Sequence, residues 1–198
     1  MSMWDRRYDR DEYVYGTTPN DFLASVAERI PAGPVLCLAD GEGRNGTHLA
    51  TLGHPVTSVD ASSVGLAKAR KLAEAKGVRL HLVHADLAEY AIEPGAWSGI
   101  VSIFLHLPPV LRARVHAAVV EGLRPGGVFV LEAYTPEQLR YGTGGPKEVE
   151  LLMRKDDVVP ELHGLDVPIA REVVRTMAEG IVHHGESAVV QILGVKPG

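Results

Sequence analysis

The sequence predicts an α/β protein built on a doubly wound, mostly parallel sheet. Three observations support this: residues 35–38 are apolar and run into a glycine-rich turn, strand and helix patterns alternate up to residue 133, and the predicted strands are almost wholly apolar. Strands that are buried on both faces have this composition, so helices are expected on each face of the sheet. At 198 residues, a single domain over residues 1–198 is expected.

The first turn has the composition of a nucleotide-binding loop. Gly41, Gly43 and Gly46 satisfy GxGxxG between a predicted strand and a predicted helix. Glycine allows close approach of a ligand, and the free N–H groups of a helix N-terminus attract anionic groups. Asp60 follows at the ~20-residue spacing of a carboxylate that binds a ribose. The same spacing suits a dinucleotide-binding dehydrogenase, and a purely structural turn is a further alternative.

The other elements follow in a regular alternation. A helix over 21–30 is stopped by the Pro-rich segment 31–34, and a second strand is expected at 55–60. Ser62 or Ser63 should begin the next helix and Gly77 should end it. The remaining predictions are strands at 78–84 and 97–105, a helix at 109–122, and a fifth strand at 127–133 after the turn 124–127.

The last part of the chain predicts a β-hairpin. Residues 170–178 and 187–195 are rich in strand-forming residues and are joined by 179–186. An antiparallel pair would then lie at the edge of a parallel sheet, which a dinucleotide-binding sheet does not ordinarily need. His183 and His184 fall in the predicted turn and are expected to be solvated.

The amino-acid composition excludes several functional classes of protein. A net charge of −5 with interspersed signs argues against a nucleic-acid partner and favours a small-molecule substrate. The lone cysteine, Cys37, falls in an apolar strand and is expected to be a core residue. No apolar run approaches the ~18 residues of a membrane span and the first residues are charged, so a cytoplasmic protein without membrane contact is expected.

Residues 1–20 concentrate aromatic and charged side chains ahead of the first strand. We expect this segment to cover the cofactor, although its aromatic residues could also simply pin the first helix to the body.

The residues now described resemble the class I S-adenosylmethionine-dependent methyltransferases, whose first loop follows a GxGxG pattern. Here that pattern maps onto residues 39–43, with Ala39 in place of the first glycine and Cys37 where an acidic residue often ends the strand. Residues 41–45, 4–8 with 15–16, and 124–127 more narrowly resemble the tellurite-resistance and thiopurine methyltransferase-like branch. The resemblance covers nearly the whole chain and implies a seven-stranded Rossmann-like sheet with a C-terminal antiparallel hairpin.

The resemblance also implies a cofactor, S-adenosylmethionine, and a set of residues that bind it. Asp60 should bind the ribose hydroxyls, Asp86 the adenine amine, and Leu87 should supply a backbone contact; Asp86 alone could also be a turn former. The remaining cofactor-binding residues that we carry over are Ala39, Asp40, Gly41, Gly43, Arg44, Asn45, Ala61, Leu105, Tyr15 and Arg7.

Methyl transfer from a sulfonium needs mainly alignment, which can supply roughly 7 to 11 kcal/mol. A general base is needed only when the nucleophile arrives protonated. His106 is the candidate for a base or a substrate contact, and no metal-binding pattern is present. Tyr8, Tyr13, Glu132, Tyr134 and Tyr141 are expected to border the substrate pocket, although Tyr134 could equally be core.

The predicted activity is methylation of a small molecule at sulfur, selenium, tellurium or an amine, by a monomer or homodimer. An NAD-dependent oxidoreductase is the alternative from another enzyme class, but no Tyr here is followed four residues later by Lys. A non-catalytic cofactor-binding regulatory module is the third possibility.

Overall fold

The structure, a computed structural model, describes residues 2–198. Its seven strands form one sheet in the order β3-β2-β1-β4-β5-β7-β6. Strands β1 to β5 are parallel, and β7 runs antiparallel between β5 and β6. This is the α/β architecture with a C-terminal antiparallel pair that the sequence predicts. The strand order reverses between β1 and β4, which is where open sheets of this type bind ligands.

The bounds of the elements follow the predicted alternation closely. The strands are β1 Val35–Leu38, β2 Val56–Asp60, β3 His81–His84, β4 Trp97–Ile103, β5 Leu123–Tyr134, β6 Asp166–Glu179 and β7 His183–Val195. The helices are α1 Met3–Tyr8, α2 Asp21–Val26, α3 Arg44–Thr51, α4 Ser63–Ala75, α5 Pro109–Gly122 and α6 Lys155–Glu161. Short 3-10 helices lie at Ala27–Arg29, Pro136–Arg140 and Val149–Leu151.

Each face of the sheet is covered by its own hydrophobic core. Alternate residues of one strand serve opposite faces: Leu36 and Leu38 join the core under α5 and α6, whereas Val35 and Cys37 join the core under α2 and α3. Cys37 is buried, as predicted. No helix within residues 2–198 has the length and apolar character needed to cross a membrane.

Several predicted bounds were wrong. Strand β5 begins at Leu123 and β6 at Asp166, each four residues before its predicted start, so the predicted turn 124–127 lies within β5. Three further differences have local reasons. Strand β3 begins three residues late because Val78 donates its N–H to Ala73 at the end of α4, and left-handed Gly77 completes that helix cap. Strand β4 ends two residues early because Phe104 adopts a φ of +54°. The last turn of the helix predicted at 21–30 is a 3-10 helix.

The largest difference concerns the C-terminal hairpin. Its strands extend to Glu179 and begin again at His183, so the turn is shorter than the predicted loop 179–186. His184 is exposed, but His183 is only 5% exposed. The prediction that His183 is solvated was therefore wrong, because it belongs to a strand whose side chains alternate between faces.

Candidate functional site

The glycine turn after β1 has the backbone geometry of a close-approach loop. Ala39, Gly41 and Gly43 have φ values of +49°, +56° and +82°. A side chain at Gly43 would bring its Cβ within 2.5 Å of the Ala69 Cβ, so glycine is required for packing of the turn against α4. Ala39 holds a left-handed conformation without being glycine, at a cost of roughly 1 to 2 kcal/mol.

Asp60 ends β2 directly beside this turn. Its carboxylate accepts hydrogen bonds from the N–H groups of Gly41 and Ser62, both at 2.8 Å. Burial raises the pKa of Asp60, and the hydrogen bonds from Ser62 and Gly41 oppose that rise. The carboxylate predicted to bind a ribose therefore also fixes the glycine turn to the neighbouring strand.

Asp40 points beneath the turn. It accepts a hydrogen bond of 2.6 Å from the Ser58 hydroxyl and longer ones from the N–H of Gly46, where a side chain would collide with it. Burial raises the pKa of Asp40 to about 7, although Ser58 and Gly46 favour its ionised form.

This geometry predicts that Asp40 lowers stability as pH rises. Between its ordinary pKa of 3.8 and about 7 the folded protein retains a proton that the unfolded chain has released, so the free energy of unfolding falls with pH in that range. Between pH 5 and pH 8, Asp40→Asn should gain about 2 kcal/mol relative to the original protein. Urea unfolding of both proteins at the two pH values measures this gain; parallel pH profiles would contradict it.

The N-terminal segment, residues 2–20, lies over the glycine turn. The Tyr8 ring covers Gly41 and Gly65, and Tyr8 is 5% exposed. Glu42 accepts hydrogen bonds from the backbone of Val14 and Tyr15, at 2.8 and 3.4 Å. The segment is therefore anchored to the turn itself.

Two further contacts hold this segment. Lys68 of α4 pairs with Glu42 at 2.5 Å and donates to backbone carbonyls of the segment, including that of Glu12 at 2.6 Å. Ile181, in the turn of the hairpin, donates its N–H to the carbonyl of Val14. The segment thus bridges the glycine turn and the C-terminal hairpin.

A buried ionic cluster lies where α3 meets the hairpin. Glu179 pairs with Arg44 at 2.6 Å and with Arg175 at 2.7 Å, and Arg175 also pairs with Glu132. Asn20 donates to both carboxylates. Arg44 Nη1 is buried without a hydrogen-bond partner among residues 2–198. The cluster balances two carboxylates with two guanidinium groups and leaves one donor available.

Aromatic rings lie beside this cluster at the carboxyl ends of β4 and β5. The His183 ring lies 4.7 Å from that of Tyr15, 5.0 Å from Phe104 and 5.5 Å from Tyr134. Phe104 and Tyr134 are themselves 4.7 Å apart. We call these four residues the ring cluster.

His106 stacks on Tyr134 at the edge of the ring cluster, with ring centroids 5.7 Å apart. Its Nδ1 contacts the carbonyl of Leu151 at 2.8 Å, and its Nε2 lies 3.4 Å from the N–H of Tyr134. Burial lowers the pKa of His106 to about 4. Both ring nitrogens therefore already have backbone partners, which leaves His106 better placed as a wall of the site than as a base.

The other predicted residues divide into two groups. Arg7 donates to the Tyr15 hydroxyl at 3.0 Å, and Asp86 is exposed, with one carboxylate oxygen accepting from the N–H of Ala88. Ala61 follows the end of β2, Leu87 lies three residues after the end of β3, and Leu105 lies two residues after the end of β4. These residues have surfaces that a ligand at the sheet edge can reach.

The second group is occupied by the protein itself. Glu132 is fully buried and accepts from Arg175, Asn20 and Gln191. Asn45 accepts the N–H of Asn20.

The three remaining tyrosines that were predicted to border the substrate pocket lie in different surroundings. Tyr13 donates to the carbonyl of Lys68, and Tyr134 is 1% exposed within a small hydrophobic cluster. Tyr141 makes no ring contact with the ring cluster within residues 2–198.

Sequence reasoning missed five residues that the structure brings to this region. Glu42 lies between Gly41 and Gly43, so the glycine motif itself could have indicated that Glu42 belongs to the site. No sequence signal indicated the other four residues, which are far from the motif along the chain: Lys68, Phe104, Glu179 and His183.

One family model matches part of the chain by sequence. Residues 35–127 match the sequence model of the family described as "Methyltransferase domain". The matched segment contains the glycine turn, Asp60 and Asp86. No curated protein matches the chain by sequence.

Solved structures share the fold at low identity. A structure described under "Conversion of a Disulfide Bond into a Thioacetal Group during Echinomycin Biosynthesis" has a TM-score of 0.79 and 18% identity, covering 98% of this chain and 90% of that one. An S-adenosylmethionine-dependent methyltransferase from Methanosarcina mazei has a TM-score of 0.67 and 15% identity, and the match covers 87% of this chain and 97% of that one. TehB from Haemophilus influenzae has a TM-score of 0.71 and 19% identity, and the match covers 89% of this chain and 61% of that one.

Proposed function

We propose that this protein transfers a methyl group from S-adenosylmethionine to a small-molecule nucleophile at sulfur, selenium, tellurium or an amine. The observation that carries the proposal is the contact between the glycine turn and Asp60, at 2.8 Å, beside the point where the strand order reverses. A carboxylate and a left-handed glycine turn together suit the ribose and methionine parts of one ligand. The proposal includes the tellurite-resistance-like branch, because TehB has a similar fold.

Each candidate residue receives a role within this proposal. Asp60 binds the ribose hydroxyls, Asp86 binds the adenine amine, and Gly41 and Gly43 admit the methionine part. The methionine carboxylate is bound by Arg44, because its buried Nη1 has no partner among the described residues and an anion would supply one. This assignment explains how an anion can be held although Ala39 and Cys37 depart from the usual motif.

Binding of S-adenosylhomocysteine, measured by isothermal titration beside NAD, tests this function. We expect the homocysteine compound to bind and NAD not to bind. Binding of NAD alone would overturn the methyltransferase and favour a dehydrogenase. Binding of S-adenosylhomocysteine without turnover on any thiol, amine or chalcogen oxyanion would favour a non-catalytic module.

The N-terminal segment is proposed to close over the bound cofactor. Because the Tyr8 ring covers Gly41 and Gly65, the segment must move to admit a ligand and can then pack on it. An aromatic face near the sulfonium adds about 0.5 to 2 kcal/mol, or roughly 2-fold to 30-fold in affinity.

Deletion of residues 1–16 should therefore weaken binding of S-adenosylmethionine by about that factor while the body remains folded. Tyr8→Ala should reproduce part of the loss, and Met3→Ala, at a residue that is 61% exposed, should not. Isothermal titration and thermal melting of the three proteins measure both effects. Equal or tighter binding after the deletion would show that the segment is not a lid.

A further inference from the structure

The ring cluster contains a buried imidazole to which the proposed cofactor site gives no role. His183 is 5% exposed, and it packs against rings from three other parts of the chain: Tyr15, Phe104 and Tyr134. The N-terminal segment closes this space through Tyr15 and through the hydrogen bond between Ile181 and Val14. The proposed movement of the segment that admits the cofactor would therefore withdraw Tyr15 from the ring cluster.

Backbone strain marks the same place. Phe104 holds a φ of +54°, which is rare for an aromatic residue. Such conformations persist only where the surroundings fix them, and they concentrate at functional sites. Here the strained residue turns the chain at the end of β4 and places its ring against His183.

A carboxylate stands behind the imidazole. The Nδ1 atom of His183 is buried, has no hydrogen-bond partner within residues 2–198, and lies 3.9 Å from Glu179 Oε2. Glu179 is held in place by Arg44 and Arg175. In a neutral imidazole one ring nitrogen carries the proton and the other accepts one, so a proton on Nδ1 leaves Nε2 as the acceptor.

The charge balance leaves the imidazole able to accept a proton. Burial lowers the pKa of His183, the carboxylate of Glu179 raises it, and the charges of Arg44 and Arg7 lower it. The ring is therefore neutral near pH 7. When it takes up a proton, Glu179 stabilises the imidazolium, as a carboxylate does behind the histidine of a catalytic triad.

We infer, on the premise of the proposed methyltransferase function, that His183 is the general base of an acceptor site for a small uncharged thiol, and that Glu179 is its positioning residue. The thiol would lie among Tyr15, Phe104 and Tyr134, with its S–H directed at Nε2 of His183.

Three features of the site favour a thiol over the other nucleophiles. Sulfur contacts aromatic rings favourably, and the ring cluster supplies three. A thiol has an ordinary pKa near 8.5, so a neutral imidazole can remove its proton. An ordinary alkyl amine has a pKa near 10.4, so it arrives as a cation that an imidazole is too weak a base to deprotonate.

The reaction balances without a further reactant. The sulfur lone pair of the thiol attacks the methyl carbon of S-adenosylmethionine, and the bond between that carbon and the sulfonium breaks with its electron pair left on the cofactor sulfur. The S–H proton passes to His183 and then to solvent. The products are a methyl thioether, S-adenosylhomocysteine and one proton.

Two thiols of different acidity test the role of His183. Benzyl mercaptan is almost wholly protonated at pH 7 and needs a base, whereas 4-nitrothiophenol is already a thiolate. His183→Gln should lower the methylation rate of benzyl mercaptan by about 10²-fold or more and that of 4-nitrothiophenol by less than about 10-fold. His184→Gln is the matched control, because this neighbouring histidine is exposed, and both rates should be unchanged.

Titration with S-adenosylhomocysteine separates failure of this inference from failure of the proposed function. If the original protein binds S-adenosylhomocysteine but does not methylate benzyl mercaptan, or if His183→Gln slows both thiols equally or neither, the acceptor site is wrong and the cofactor assignment stands. If the original protein does not bind S-adenosylhomocysteine, the proposed function itself fails. A melting curve confirms that His183→Gln is folded in each case.

Discussion

Asp60→Ala should weaken S-adenosylhomocysteine binding by about 100-fold or more. A hydrogen bond to a charged group contributes roughly 1.5 to 3 kcal/mol, and the variant loses a carboxylate proposed to bind two ribose hydroxyls. It also loses the hydrogen bonds from Gly41 and Ser62 that hold the glycine turn to β2. Both losses act on the cofactor site, so this substitution should have the largest effect on binding.

Isothermal titration measures the affinity of Asp60→Ala for S-adenosylhomocysteine, and thermal melting shows whether the variant is folded. Asp156→Ala is the matched control: it makes the same change in net charge, but Asp156 is an exposed residue of α6, far along the chain from the turn. Asp60→Asn keeps the size of the side chain and should still bind poorly, because its amide group cannot accept both N–H bonds. Wild-type affinity in Asp60→Ala would remove Asp60 from the cofactor site.

Glu179→Ala should have the largest effect on stability. Glu179 is 3% exposed and pairs with two guanidinium groups, those of Arg44 and Arg175. Removing one partner of a buried ion pair leaves an uncompensated charge and costs about 3 to 5 kcal/mol. That is a large part of the roughly 5 to 15 kcal/mol that stabilises a domain.

The stability lost in Glu179→Ala should also depend on pH. Burial disfavours the ionised form of Glu179, but His183, Arg44 and Arg175 outweigh it and hold the pKa of this carboxyl below its ordinary value of 4.5. A lowered pKa in the folded state stabilises the protein above the unfolded pKa, and this stabilisation falls as the pH drops below it. The difference between Glu179→Ala and the original protein should therefore be full at pH 7 and smaller at pH 3.

Urea unfolding at both pH values tests this. Glu137→Ala is the control, because Glu137 forms an exposed ion pair with Arg140 on one short helix. Its change in the free energy of unfolding should stay within about 0.5 kcal/mol. A loss of that small size for Glu179→Ala would show that the ionic cluster does not contribute to stability.

The sequence alone determined the α/β fold and the position of the glycine turn. Apolar runs, helix caps and glycine positions are local signals, so the order of elements and the turn at Gly41 and Gly43 were predictable. That Asp60 and Asp86 lie at one edge of the sheet was predictable as well, because each stands at the carboxyl end of a strand and these ends meet at one edge of a parallel sheet.

Only the tertiary structure decided what surrounds His183. Glu179 and His183 lie more than 70 residues beyond Phe104 in the sequence, and only the pairing of β7 with β5 brings them together. The register of the hairpin also decided that His183 is buried and His184 exposed, since adjacent residues of a strand face opposite sides. Local composition around two neighbouring histidines cannot distinguish them, because the alternation depends on where the strand begins.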